Sequence, residues 1–303
     1  MENVMERLGY EANTKLLIIN ADDFGMCHAT NAGIMQLLAE DAVSSASLMV
    51  PCGWSKEAAT WSAAHPQLNV GIHLTFTSEW EGYKWGPVGL RSGAELSSLI
   101  APDGSFPSEC LTVEHQANAA HIRAECIAQI EQALAYGISP SHVDNHMGSL
   151  YGLASGRDFL DVVLDVCAQY GLPFRLPRAI ARMNLPVEVM KHAQARMAQA
   201  DANGVVIIDH LVGLPYSVSV DSKQTYDDMK TDMLALLDDI QPGITELYTH
   251  PSHVTDELKA ITPSWERRGF EFELLRDPDL KQAIADADIR VIRWSDLRDA
   301  QRS

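Results

Sequence analysis

Two adjacent carboxylates, Asp22 and Asp23, close the apolar run "LLII" in the stretch "LLIINADDFG". Neighbouring strand residues point to opposite faces, so two such acids do not comfortably serve one ion together. A division of labour fits better: one acid holds a divalent metal and the other takes a proton from a metal-bound water. Imidazoles to complete such a centre recur along the chain: His73 in "NVGIHLTF", His146 in "SHVDNHMGSLYG", His210 after Asp209, and His250 and His253 in "TELYTHPSH". Asp144, Asn145, Arg175 in "FRLPR" and Glu246 are further polar candidates. One carboxylate with two imidazoles makes a good partial shell for a divalent ion that keeps positions open for water and substrate. A later His such as His250 suits protonation of a leaving group. Each residue also has an ordinary reading, such as capping the next helix; the constellation is what points to chemistry.

The elements that must position these residues follow from hydrophobic periodicity. It predicts strands at 15–20, 43–50, 69–76, 142–144, 174–176, 205–210, 245–248 and 289–294. Helices are predicted at 30–40, 56–64, 114–136, 157–170, 186–202, 224–239, 257–267 and 279–285. Strand followed by helix, repeated seven or eight times, implies parallel strands with crossover helices. At 303 residues the expected fold is α/β, a (β/α) barrel of about seven parallel strands, with an open doubly wound sheet as the alternative. In both, functional side chains gather at the C-terminal ends of strands, where the candidates lie. Residues 1–303 are read as a single domain. Residues 77–112, rich in Gly, Ser, Trp and Pro, are too long for an ordinary connection and are read as an insertion over one face.

The formal net charge of −18 repels nucleic-acid phosphates and anionic membranes, and favours a neutral or cationic small ligand. With 46% hydrophobic residues the chain can bury a sizeable core. There is no apolar run long enough to span a membrane and no signal peptide in "MENVMERLGYEANTK". Cys27, Cys52, Cys110, Cys126 and Cys167 are scattered and odd in number, which predicts free thiols in a reducing cytoplasm.

In order and spacing, "NADDFG", "GIHLTF", "HVDNHMG", "FRLPR" and "ELYTHPS" resemble the YdjC-like carbohydrate deacetylases, from about Lys15 to Trp294. The resemblance implies a distorted (β/α) barrel related to polysaccharide deacetylases and metal-dependent hydrolysis of an N-acetyl group on a sugar. It implies Asp23, His73 and His146 as metal ligands, Asp22 as general base, His250 as general acid, and Arg175 as the group that orients the catalytic Asp. Asp144 is the carboxylate expected to orient a ligating imidazole. Zn²⁺ suits these ligands best; Mg²⁺ is suggested by the family. Trp80 and Trp85, with Tyr83, either stack on sugar rings or pin the insertion to the barrel. The sequence departs from the family after His146, where Met147, Gly148, Ser149 and Leu150 replace further imidazoles. The expected partner is a small N-acetylated sugar, and a homo-oligomer stays open. The competing readings are a different metal-dependent hydrolase such as a phosphoesterase, and a non-catalytic sugar-binding protein on the same fold.

Overall fold

The computed structural model describes residues 4–93, 95–182, 187–215 and 224–303. Its seven strands are β1 (Lys15–Phe24), β2 (Ser45–Leu48), β3 (Val70–Leu74), β4 (Val143–Asn145), β5 (His210–Val212), β6 (Gly243–Thr249) and β7 (Ile289–Val291). All ladders are parallel, in the order β4-β3-β2-β1-β6-β5, and β7 adds to the start of β1. The central β1 is buried along nearly its whole length, which is why its sequence reads as a continuous apolar run and not as an alternation.

The sheet curls back on itself through two single-residue bridges, Val143 to Phe174 and Phe174 to Ile207. They complete a distorted α/β barrel with surrounding helices, as expected. The departures are local. The predicted strand at 174–176 is reduced to the Phe174 bridge. The one predicted at 205–210 yields the Ile207 bridge and then the ladder of β5. The long helix predicted at 114–136 is two helices, Cys110–Gln116 and Ala119–Ala135, because Asn118 caps the second by accepting from the Ala120 N–H. The helix predicted at 257–267 is split into Asp256–Ile261 and Trp265–Arg276 around Pro263, which cannot continue a helix. The predicted last strand stops at Val291, and Trp294 opens a helix, Trp294–Arg302, that packs on the sheet with its indole buried. The predicted start of a helix at residue 186 lies outside the described residues.

Gly71 on β3 is required by packing: a Cβ there would lie 2.3 Å from atoms of the His142 ring, which stacks on Trp294 at 4.6 Å. The insertion lies against the barrel through Phe106, which meets Phe76, and through Tyr83, whose hydroxyl donates to the Met26 carbonyl. Among the described residues no helix is long and apolar enough to cross a membrane, and the five cysteines are free thiols.

Candidate active site

The C-terminal ends of β1, β3, β4 and β6 converge on a cavity of about 550 Å³. Asp22 and Asp23 stand at its floor. The β1–β2 register shifts between Ala21 and Phe24, and Asp23 has φ 67. That left-handed turn, followed by Gly25 at φ 94, sends the two neighbouring carboxylates to different partners. A side chain at Gly25 would sit 2.9 Å from Leu48.

Asp22 faces Arg175. The guanidinium donates from Nη1 to Asp22 Oδ2 and from Nη2 to Oδ1, both at 2.7 Å. Asn20 Nδ2 adds a bond to Oδ1 at 2.8 Å. Burial favours the neutral acid, but Arg175 and His73 outweigh it and hold Asp22 below the ordinary carboxylate range. The other edge of Arg175 donates to Glu246 at 2.9 and 2.7 Å, and Nη2 lies 2.8 Å from Asp144 Oδ2. Three buried carboxylates therefore share one guanidinium. Glu246 shows the imbalance: burial pushes it up to about 7 against the pull of Arg175.

Asp23 faces the imidazoles. Its Oδ2 accepts from Arg268 Nη2 at 2.6 Å. Its Oδ1 is buried and accepts no hydrogen bond; His146 Nδ1 stands 3.3 Å away and His73 Nε2 3.5 Å away. The far nitrogen of each ring is engaged by a carboxylate: His73 Nδ1 with Asp144 Oδ1 at 2.7 Å, and His146 Nε2 with Glu79 at 3.1 Å. Carboxylates behind the rings hold their orientation, so that an ion displacing the near protons meets the near nitrogens. A buried carboxylate oxygen facing two imidazole nitrogens fits a divalent cation that displaces their protons, and Asp23, His73 and His146 have the donor types for one. Two other carboxylate–imidazole groupings, Asp22–His73–Asp144 and His142–Asp144–Glu246, have their carboxylates already paired with the fixed positive charge of Arg175.

His250 follows β6 at the edge of the cavity, with Nε2 4.0 Å from Asp22 Oδ2. Its backbone N–H donates to the buried Glu271. Burial lowers the ring to about 4 despite Asp23 and Asp22, so at neutral pH it is uncharged and can donate only after taking up a proton. Trp80 lines the cavity; Trp85 is buried behind it, edge-on at 5.5 Å, and does not line the cavity. Neither Asp209 nor His210 lines the cavity, and Asp209 accepts from the Ile244 N–H at 2.8 Å. His253 packs on Phe272.

Three members of the site are absent from the sequence reading. Arg268 and Glu271 come from the helix Trp265–Arg276, and Glu79 from the start of the insertion. The first two were legible only as charges that a surface helix would also carry; their burial is the signal, and it is tertiary.

The chain resembles known proteins along nearly its whole length. A sequence model of the YdjC-like protein family matches residues 16–286. A carbohydrate deacetylase of Thermoanaerobacter pseudethanolicus is 26% identical over 94% of this chain and 100% of its own. One of Geobacillus stearothermophilus is 27% identical over 92% and 97%. The crystal structure of a protein of Enterococcus faecalis V583, described as a cellobiose-phosphate cleavage protein, superposes with a TM-score of 0.75 at 25% identity, covering 94% of this chain and 99% of that one.

Proposed function

The chain belongs to the YdjC-like protein family, and on that premise we propose that it is a metal-dependent hydrolase that removes the N-acetyl group from an amino sugar or oligosaccharide. The observation that carries this reading is the opposed aim of two consecutive acids. Asp23 turns one bare oxygen toward His73 and His146, while Asp22 is clamped on Arg175. The names of the relatives support the reaction class.

In this reading Asp23, His73 and His146 hold one divalent ion, with zinc favoured by the ligand types. The ion would supply Lewis acidity and a water of lowered pKa. Asp22 takes the proton from the attacking water; its depressed pKa keeps it ionised and ready. Arg175 fixes the carboxylate in one rotamer, so the base need not be reoriented when the proton moves. His250, uncharged at rest and 4.0 Å from Asp22, receives the proton that Asp22 took from the water and delivers it to the amine nitrogen, which cannot leave as an anion. Asp144 and Glu79 hold the imidazoles of His73 and His146 in register. Trp80 offers a ring face for a sugar, with Trp85 bracing it from behind. The whole chain acts as one catalytic domain, with 77–112 as an insertion that supplies part of the cavity wall. We place it in the cytoplasm on its free thiols.

Acetate release from N-acetylglucosamine and short chito-oligosaccharides, by protein stripped of metal and reloaded with Zn²⁺ or Mg²⁺, tests the reading. Acetate that depends on the ion supports it. No acetate from protein shown to hold the ion overturns it.

A further inference from the structure

The charged residues of the cavity come mainly from β1, β3, β4 and β6. A second, apolar group comes from a contiguous arc: Met147 and Leu153 after β4, Pro177 and Ile180 after the Phe174 bridge, and Leu211 on β5. These three stretches are neighbours around the barrel, since Val143 bridges Phe174 and Phe174 bridges Ile207.

Two of these side chains are exposed at the cavity mouth, Leu153 at 75% and Met147 at 47%. Neither sits on a loose backbone. The Met147 carbonyl accepts from Cys110 and its sulfur from Thr77. The loop of Leu153 is tied to the buried Glu114, which accepts from the Ala154 N–H at 3.0 Å and the Ser155 hydroxyl at 2.6 Å. Arg157 donates to the carbonyls of Glu114, His115 and Ala117. Large apolar side chains held exposed on a pinned backbone, beside a cavity, mark a surface that a ligand covers.

The polar tip of the same arc is engaged within the protein. The Tyr151 hydroxyl, the one that lines this arc among the described residues, donates to the Arg175 carbonyl. A hydroxyl-rich ring laid here would lose its hydrogen bonds to water without replacement. An alkyl or aryl group would not.

We propose that the substrate's amide-bearing sugar carries an apolar substituent, alkyl or aryl, that lies along Met147, Leu153, Ile180 and Leu211 while the amide meets the charged side of the cavity. The proposal rests on the hydrolase reading above and specifies its substrate further, with the acyl group longer than acetyl where the chain is the apolar part. The substituent is an aglycone or a lengthened acyl chain; the surface recognises the chemistry they share.

The test compares the methyl and hexyl β-glycosides of N-acetylglucosamine with the methyl β-glycoside of N-hexanoylglucosamine. Turnover is measured with zinc-loaded wild type and Leu153→Asn, and binding by calorimetry. Each methylene taken from water is worth roughly four-fold in affinity. One of the six-carbon compounds should therefore show a KM or Kd at least about ten-fold below that of the methyl reference, and Leu153→Asn should pull that ratio toward one. Which compound gains identifies the source of the substituent. Turnover of all three with equal KM overturns the apolar surface and leaves the hydrolase reading standing. No turnover, with the ten-fold tighter binding present in wild type and lost in the variant, overturns the hydrolase reading and keeps the surface. No turnover and no difference in binding overturn both.

Discussion

Arg175 closes both of its terminal nitrogens on the two oxygens of Asp22, at 2.7 Å each, from a position entirely inside the barrel. The same guanidinium also reaches Glu246 and Asp144. It is the only described cation paired with all three of these acids, which come from β1, β4 and β6. Its contribution is therefore to the fold as well as to the proposed chemistry.

Replacing it tests the first part. In Arg175→Met three buried carboxylates lose their shared partner, the situation in which breaking a buried pair costs about 3–5 kcal/mol. Urea unfolding at pH 7 should show a loss of that order. A loss below about 1 kcal/mol would mean that the acids find other partners or solvent.

The imidazoles carry the second expectation. His73→Ala and His146→Ala each remove one of three donors and leave Asp23 Oδ1 with one of its two facing nitrogens. Each variant should lose the ion on gel filtration in chelator-free buffer, as read by elemental analysis. Full occupancy in either variant would remove that residue from the ligand set.

Protonation gives a third. In the ion-free protein burial opposes charging of His73, but Asp144 and Asp22 outweigh it and raise the ring to about 10. Burial likewise opposes charging of His146, which Glu79 and Asp23 raise to about 9. Both folded values lie above the unfolded 6.5. The stability they contribute is thus fully present below pH 6.5 and is lost as pH rises through 9 to 10. Metal-stripped protein should melt at falling temperatures from about pH 7 to pH 10. An ion must displace the same protons, so loading zinc at pH 7 should release about one to two protons, read by calorimetry in buffers of different ionisation enthalpy. A release of none would contradict the assignment of both rings.

Much of this was legible in the sequence because the physics is local. The run "LLIIN" reads as a buried parallel strand, and the chain order of acids and imidazoles places them at strand ends. Asp22, Asp23, His73, His146, Arg175 and His250 all border the one cavity. What was not legible is what tertiary packing decides. Phe174 makes a bridge where a strand was expected, since Pro173 has no N–H to give and Pro177 ends the segment. Arg268 sits among the charges of "WERRGFEFELLR", where only the docking of that helix shows that its guanidinium turns inward to Asp23 while Glu266, Glu273 and Arg276 meet solvent. Trp85 and Trp80 are alike in sequence; burial alone separates the brace from the wall.

The separate roles of the two consecutive acids are tested most directly by exchanging each for its amide and reading ion content and acetate release together. Asp22→Asn should keep the ion and lose about 10²–10⁴-fold in turnover, the range expected for a general base. Asp23→Asn should lose the ion, and turnover with it. Equal loss of the ion in both variants, or undiminished turnover in Asp22→Asn, would contradict the division of labour between them.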